Sequence, residues 1–498
     1  MNKIKDFLKI LKLSDFLFLL GFIPFIFFLV GGKDLMQMST GTIEVMFPIW
    51  VHAILFAISL VAWGYYLLLE LKAGYGPKRY ISILFIFLIV FSLITIFVQP
   101  VHFSQDVVCR LVNPINEGIY PGIVVGDVVT IEFDYDIYHY LYFAMYITLI
   151  LVFIYIGFFV FPKRFTGVTF IKYLTFGFYI FLAILIISGY ITEHDKYVPF
   201  INSLLTGDKG AITEYAVFSF IIHRNAYGMC MLMGIIFSIF NHALDKKWWY
   251  YLIIGFLYVN MFFSWSISSL AIGFVLIALY VLFRLIFTFK EHKKRNSIIL
   301  ISIGGIAVIG LGLVAIAYLS EGKYLGFIYS IINGVLGGGS TISSRTFIWD
   351  NIFLLLRDGW WLIGRGFGMF NVGLMPMNIV NGDPVFPAHS SYLNVLVEGG
   401  IVYLFVYLAY LAYLVYIIYK CFKKEPGLTI AISCGVLAFS IYGFVEAIEY
   451  LVYTFTFPLL IFYYSLYPEE KIMKKPSEEQ MEGFLFLDVI YFPPLGKR

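Results

Sequence analysis

The composition of the chain places it among membrane proteins. Of its 498 residues, 61% are hydrophobic and only 13% are charged, and the mean hydropathy is +0.89. About a quarter of the residues in a soluble domain are charged, so this composition excludes an ordinary soluble protein. Apolar runs of about 18 or more residues recur, and each is long enough to cross a hydrocarbon core of roughly 30 Å. The sequence therefore predicts an all-α polytopic membrane protein.

Hydropathy along the chain predicts about twelve transmembrane helices and four regions. The regions are 1–319 with helices one to nine and an outer loop at 99–137, a large extracytoplasmic loop with amphipathic helices at 320–390, 391–467 with helices ten to twelve, and a cytoplasmic tail at 468–498. The predicted spans are 14–31, 48–70, 80–98, 138–161, 170–191, 216–241, 248–264, 268–289, 297–319, 391–419, 428–446 and 450–467.

The distribution of basic residues predicts the sidedness of these spans. Of the 34 Lys and Arg residues, 25 lie in the loops and termini that a cytoplasmic N-terminus would put inside. Cytoplasmic loops are enriched in Lys and Arg, so we expect both termini to be cytoplasmic. The inside loops are short basic turns with no domain for a nucleotide-sugar, and we expect no nucleic-acid partner. Chemistry is therefore expected on a membrane-borne substrate at the outer face.

Lys172 and Arg284 fall at the inner ends of their spans and are counted with the inside loops, which leaves Arg224 as the one basic residue inside a span, with His223 and Asn225 beside it. An arginine at membrane depth costs at least about 2.5 kcal/mol, so it needs an anion, a cage of carbonyls or water. A structural arginine capped by helix carbonyls is one interpretation. A phosphate clamp is the interpretation we favour, because the guanidinium fork matches phosphate oxygens.

The segment Ser343–Gly359 predicts an amphipathic helix along the membrane surface, with serine at its start and glycine at its end. Arg345 and Trp349 are four residues apart and are predicted to share one face of this helix. A contact of Arg345 with lipid headgroups and a contact with an anionic substrate both stay open. Arg357 and Arg365 are further candidates of the same kind. The predicted apolar stripe consists of Phe347, Ile348, Ile352, Leu355 and Leu356.

Two motifs follow before the next span. The run Gly364–Gly368 superficially resembles a phosphate loop, but it follows no strand, so we predict a glycine turn. His389 can act as a base or a donor near neutral pH, although a lone histidine is more often structural. Ser390 offers a neighbouring hydroxyl. Glu398 lies about 13 Å further along a helix, where it is expected to pair with another group of the core.

The order of these features resembles the O-antigen polymerase and O-antigen ligase superfamily of bacterial membrane glycosyltransferases. Members have about twelve spans, an Arg-Asn element in a middle helix and a large outer loop. That loop opens with an arginine and a tryptophan four residues on, carries a Gly-x-Gly turn, and closes with a histidine before a helix with a Glu-Gly pair. The matching residues are Arg224–Asn225, Arg345, Trp349, Gly364–Gly368, His389 and Glu398–Gly399.

The resemblance covers roughly residues 215–405 and has two departures. Ser390 stands where members often have asparagine. The segment 264–273, SWSISSLAIG, lacks the arginine that many members carry in a Ser-Arg element. If that arginine binds lipid phosphate in relatives, another group must replace it here.

The resemblance implies a polymerase of undecaprenyl-diphosphate-linked oligosaccharides in the bacterial inner (cytoplasmic) membrane, making lipopolysaccharide O-antigen or capsular or exopolysaccharide. Arg224 and Arg345 would stabilise charge on the leaving diphosphate, and His389 would orient or deprotonate the acceptor hydroxyl. No metal or cofactor is required, and membrane lipids and a chain-length regulator are further partners. The implied substrate-binding residues are His223, Asn225, Trp349, Arg357, Arg365, Ser390 and Glu398.

Two alternatives stay open at the level of sequence. An O-antigen ligase would differ only in its acceptor, which is lipid A-core or a protein, and no residue decides between the two enzymes. A flippase or transporter for lipid-linked oligosaccharide would also have about twelve spans. It would be expected to carry several charges along its path, whereas only Arg224 is predicted to lie deep.

Overall fold

The computed structural model describes residues 13–31, 47–164, 168–206, 209–220, 224–287, 341–381, 388–444, 446 and 449–470, with the isolated positions 297, 313 and 316. The predicted features outside the described residues are the ninth span, apart from isolated positions, residues 320–340 of the large loop, the candidate residue His223, and the tail beyond residue 470. The chain forms two compact units. The first unit comprises residues 1–166, 344–413 and 460–498, and the second unit comprises residues 167–343 and 414–459.

Helices make up most of the described residues. This is expected in lipid, because a helix satisfies the hydrogen bonds of its backbone within its own segment. Among the described residues, seven helices are long and apolar enough to cross a membrane, and shorter apolar helices accompany them. This agrees with an all-α membrane protein, while the total of twelve spans stays a prediction. In chain order the helices are α1 (Leu13–Gly31), α2 (Ile49–Lys72), α3 (Arg79–Phe97), α4 (Pro114–Ile119), α5 (Ile137–Tyr155), α6 (Phe161–Arg164), α7 (Val168–Thr192), α8 (Tyr197–Thr206), α9 (Lys209–Glu214), α10 (Arg224–Asp245), α11 (Trp249–Phe263), α12 (Ile267–Phe287), α13 (Thr341–Leu355), α14 (Trp360–Ile363), α15 (Met369–Val380), α16 (Ser391–Lys424), α17 (Pro426–Tyr442) and α18 (Glu449–Leu466).

Helix α10 begins at Arg224, so the predicted span 216–241 is wrong at its N-terminal end. The preceding backbone bonds to a side chain instead of continuing a helix. The N–H groups of Phe218 and Ser219 donate to the Glu193 carboxylate at 3.0 and 2.6 Å. Arg224 is therefore the first residue of its helix and does not lie within it.

The segment 99–137, predicted as an outer loop, contains a β-hairpin that the all-α prediction missed. Strands β1 (His102–Val108) and β2 (Val128–Asp134) pair antiparallel over their full lengths. On β1, Phe103 and Val107 are buried and their neighbours are exposed or half-buried. This is the two-residue period of a strand with one face on the protein.

The hairpin packs against residues 344–381 within the first unit. Asn116 donates from Nδ2 to the Val380 carbonyl at 2.9 Å, and the Arg110 backbone N–H donates to Asn381 Oδ1 at 2.9 Å. The Arg110 guanidinium also pairs with Asp350. These parts of the two regions predicted as separate outer loops thus form one packed body. We name this body the cap and define it as residues 99–136 and 344–381.

Two glycine motifs contact each other through their backbones. Helix α16, which covers the predicted span 391–419, is interrupted at Gly399 and Gly400, where φ is −134° and 63°. A Cβ on Gly400 would lie 2.3 Å from the Leu362 carbonyl oxygen, and one on Gly364 would lie 2.6 Å from the Glu398 carbonyl carbon. A Cβ atom cannot approach backbone atoms this closely. The turn at Gly364 and the break at Gly400 can therefore pack together only because both residues are glycines.

The substitution Gly364→Ala, with Gly359→Ala as control, tests this contact. Both glycines have positive φ, 78° and 90°, so both substitutions carry backbone strain of about 1–3 kcal/mol. Among the described residues, a Cβ on Gly359 meets nothing within 4 Å. We expect Gly364→Ala to lower the unfolding temperature of the purified protein in detergent much more than Gly359→Ala does. Equal shifts would contradict a role for the close backbone approach.

Candidate functional site

The predicted site residues fall in both units. The first unit holds most of them, the second unit holds two, and His223 lies outside the described residues. In the first unit these are Arg345, Trp349, Arg357, Arg365, His389, Ser390 and Glu398, and in the second unit they are Arg224 and Asn225.

His389 lies on a sharp turn at the start of α16. Its φ is 46°, in the left-handed region that residues other than glycine rarely adopt, and a residue held there stores about 1–3 kcal/mol of strain. Two hydrogen bonds fix the turn. Ala388 N–H donates to Asn394 Oδ1 at 3.5 Å, and Asn394 N–H donates to the Ser390 carbonyl at 2.8 Å. Strain of this kind is concentrated at functional sites, which favours a functional interpretation of His389.

Trp349 connects helix α13 to the His389 turn. Its indole N–H donates to the Ala388 carbonyl at 3.0 Å. Arg345 lies one helical turn before Trp349 on α13 and is half-buried. Trp349 therefore stabilises the turn at His389, and Arg345 lies on the same helix as Trp349.

Four of the five residues of the apolar stripe predicted for Ser343–Gly359 are buried inside the first unit, and Phe347 is half-buried. Ile348 and Ile352 are no more than 1% exposed. From the same helix, Asn351 donates from Nδ2 to Asn378 Oδ1 on α15 at 2.9 Å. Helix α13 thus packs this face against protein, which fixes the orientation of its other residues.

Glu398 is a buried carboxylate at the glycine break of α16. It is 5% exposed, and its Oε1 accepts a hydrogen bond from Asn394 Nδ2 at 3.1 Å. Because Asn394 also accepts from the Ala388 N–H, one amide side chain links Glu398 to the His389 turn. Sequence reasoning missed Asn394, although its four-residue spacing from both Ser390 and Glu398 was a usable signal.

Arg365 is enclosed by the cap. It is 8% exposed, its Nε donates to the Leu355 carbonyl at 2.6 Å, and its backbone N–H donates to the Val397 carbonyl at 2.7 Å. Its guanidinium carbon lies 4.2 Å from the Trp360 ring centroid and 5.6 Å from the Phe103 ring centroid, within cation–π range. Burial lowers the pKa of Arg365 to about 10. These contacts give Arg365 a structural role, and its role as a substrate-binding residue stays a prediction.

Arg357 and Ser390 occupy opposite environments. Arg357 is exposed at the turn that follows α13. Ser390 is 4% exposed, and its carbonyl accepts the Asn394 N–H in the first turn of α16. Arg357 can therefore meet a charged group from solvent, whereas Ser390 belongs to the framework of the histidine turn.

In the second unit, Arg224 and Asn225 are the first two residues of α10. Arg224 is half-buried, and its Nη1 donates to Thr213 Oγ1 at 3.3 Å. Asn225 donates from Nδ2 to Glu446 Oε1 at 2.9 Å, and its Oδ1 accepts from Ser266 Oγ at 3.2 Å. Ser266 belongs to the serine-rich segment that lacks the family arginine. The pairing of Asn225 with Glu446 was not predicted, because the two residues are far apart in the sequence.

Each set of polar residues offers groups for ion binding and proton transfer. The first unit holds a histidine, an arginine and a carboxylate, and the second unit holds an arginine, an amide and a carboxylate. Guanidinium groups match phosphate oxygens, and histidine or carboxylate can accept a proton. Within the described residues, no three His, Cys, Asp or Glu side chains are grouped as ligands for a metal ion.

No family model, no curated protein and no solved structure matches the chain. The resemblance to the O-antigen polymerase and ligase superfamily therefore rests on the order of short motifs and on hydropathy. The activity that it implies is a proposal.

Trp349→Phe, with Trp361→Phe as control, tests whether the indole N–H supports the histidine turn. Phenylalanine keeps an aromatic ring at 349 but removes the donor to Ala388, which we expect to lower stability by about 1 kcal/mol. Trp361 is 51% exposed, so its replacement should change stability little. Thermal unfolding of both variants in detergent measures the difference. A loss of stability in the Trp361 variant as large as in the Trp349 variant would contradict this role.

Proposed function

We propose that the protein is a membrane glycosyltransferase that polymerises undecaprenyl-diphosphate-linked oligosaccharide repeat units into O-antigen or into capsular or exopolysaccharide. The observation that carries this proposal is the hydrogen bond from Trp349 to the Ala388 carbonyl. It joins the Arg345–Trp349 motif to the His389 motif within the first unit, although the bonded residues are 39 positions apart in the sequence. The superfamily pattern contains both motifs, so their contact supports the resemblance.

The proposed reaction moves a glycan from a lipid diphosphate to a hydroxyl. The acceptor oxygen bonds to the anomeric carbon of the donor, the bond from that carbon to the diphosphate oxygen breaks, and undecaprenyl diphosphate leaves with the electron pair. His389 takes the proton of the acceptor hydroxyl, and Arg345 stabilises charge on the leaving group. Arg224 is retained as a second cation on the strength of the resemblance. The reaction as proposed needs no metal and no cofactor.

The proposal includes a location at the outer face of the bacterial cytoplasmic membrane. Twelve spans with both termini inside would put 99–137 and 320–390 on that face. The excess of 25 among 34 basic residues on the other side supports this orientation. The cap would then lie where a lipid-linked oligosaccharide presents its sugars.

A glycan ladder assay tests the proposed function. The host lacks its own polymerase but makes the lipid-linked repeat unit, and the variants are His389→Ala, Arg345→Ala and Arg224→Ala at matched membrane levels. We expect each substitution to lower polymer yield by about 100-fold or more, the usual effect of losing a general base or a charge-stabilising group. Wild-type protein should give regularly spaced bands.

Two matched controls accompany these variants. His102→Ala removes an exposed histidine of the cap that pairs with exposed Asp134, and Arg110→Ala removes an arginine from a surface ion pair. Exposed pairs contribute about 0–1 kcal/mol, so both controls should keep the ladder.

The outcomes separate the candidate functions. Ladders that survive in His389→Ala and Arg345→Ala would overturn the proposed mechanism. Transfer of a single repeat without a ladder would identify an O-antigen ligase. The absence of any glycan phenotype with the wild-type protein would favour a flippase or another transporter.

A further inference from the structure

A chain of hydrogen bonds joins α10, α12 and α17 within the second unit. Asn225 donates from Nδ2 to Glu446 Oε1 at 2.9 Å, and Ser266 Oγ donates to Asn225 Oδ1 at 3.2 Å. The hydroxyls of Ser266 and Ser269 lie 2.9 Å apart, and those of Ser269 and Tyr442 lie 3.0 Å apart. Both serines and Tyr442 are fully buried, and Glu446 is 8% exposed.

All the hydrogen bonds in this series run in one direction, so that each donor lies on the side away from Glu446. A carboxylate can bond only to the NH₂ side of the Asn225 amide, which leaves the amide oxygen for Ser266. A hydroxyl has one hydrogen to donate, so Ser269 must donate to Ser266, and Tyr442 must donate to Ser269. Hydrogen bonds aligned in this way strengthen one another in a buried site. Glu446 is therefore the final acceptor, and it sets the direction of every hydrogen bond in the series.

The backbone is built to bring these groups together. A Cβ on Gly228, one helical turn after Arg224, would lie 2.5 Å from Ser266 Cβ and 3.0 Å from Ser269 Oγ. The absence of a side chain at Gly228 thus lets α10 approach the serine segment closely. Trp265, just before Ser266, has a φ of 50°, so the turn that presents Ser266 is also held in an uncommon conformation.

Glu446 also acts on Arg224. The Glu446 carboxylate accepts a hydrogen bond from Asn225, the residue next to Arg224, so its negative charge acts on the Arg224 guanidinium without a direct ion pair. The direct hydrogen bond of that guanidinium goes to Thr213 Oγ1. Glu446 therefore serves two adjacent residues, because it orients the Asn225 amide and its charge acts on Arg224.

We propose that Glu446 is a positioning residue that also sets how tightly the second unit binds the diphosphate of the lipid-linked donor. The inference rests on the proposed function, in which Arg224 contacts that diphosphate. Before substrate binds, Glu446 holds Asn225 in place next to Arg224. Its negative charge opposes that of the diphosphate, so it weakens binding of the product, undecaprenyl diphosphate, and promotes release.

The test measures binding of undecaprenyl diphosphate and of inorganic pyrophosphate to the purified full-length protein in detergent by calorimetry. Glu446→Gln keeps an oxygen that can accept from Asn225 but removes the charge. We expect it to lower Kd for both probes by on the order of tenfold, because a like charge near the ligand is gone. In the ladder assay the same variant should turn over more slowly, with a lower KM for the lipid-linked donor.

Two further variants separate charge from structure. Ser269→Ala breaks the hydroxyl chain without changing any charge, so it should lower the unfolding temperature and leave Kd unchanged. In an Arg224→Gln background, Glu446→Gln should still tighten binding, because the repulsion between the Glu446 carboxylate and the diphosphate does not pass through Arg224.

The possible results distinguish this inference from the proposed function. If the wild-type protein binds neither probe, the proposed substrate class fails, and the role of Glu446 fails with it. If the wild type binds but Glu446→Gln binds equally or more weakly, only the role of Glu446 is overturned. Tightening by Ser269→Ala as large as that by Glu446→Gln would also overturn it, since a loosened chain would then explain the change.

Discussion

The backbone contact between the turn at Gly364 and the break at Gly400 determines how the first unit presents its polar residues. The break ends the first segment of α16 after Glu398, so residues 391–398, which follow the His389 turn, form a short helix of their own. The Arg365 N–H bonds to the Val397 carbonyl at the same contact. The glycine turn and the glycine pair form one backbone contact, although they are separate motifs in the sequence.

Hydrogen bonds within the cap stabilise the segments that form this backbone contact. The hairpin is tied to the end of α15 through Asn116 and Val380, and Tyr135 donates its hydroxyl to the Met369 carbonyl at 3.0 Å. Tyr135 is fully buried, and burial raises its pKa above the usual value, so it stays a donor at physiological pH. The segment 99–137, predicted as an outer loop, thus supports the fold of the first unit.

The sequence predicts a structural feature correctly where the local environment allows one backbone conformation. It does not predict a feature that depends on contacts with residues far away in the sequence. Long apolar runs predicted the helices because lipid offers the backbone no partner. The start of α10 at Arg224 could not be predicted, because the distant carboxylate of Glu193 takes the preceding N–H groups. The site followed the same division. Its charged residues could be named from spacing, but the partners of Asn225 and the aromatic enclosure of Arg365 come from distant segments.

The polar networks of the two units are poor means of stabilising a fold. Burying a carboxylate, an amide and several hydroxyls incurs a desolvation penalty that their mutual bonds only offset, and well-packed apolar residues often do as well or better. The left-handed backbone at His389 is a similar cost. In each unit, residues that cost stability belong to the proposed site: His389 and Glu398 in the first, and Arg224, Asn225 and Glu446 in the second. Folding alone does not require polar groups at these positions, and this is a reason to propose that they bind and transfer a charged lipid-linked substrate.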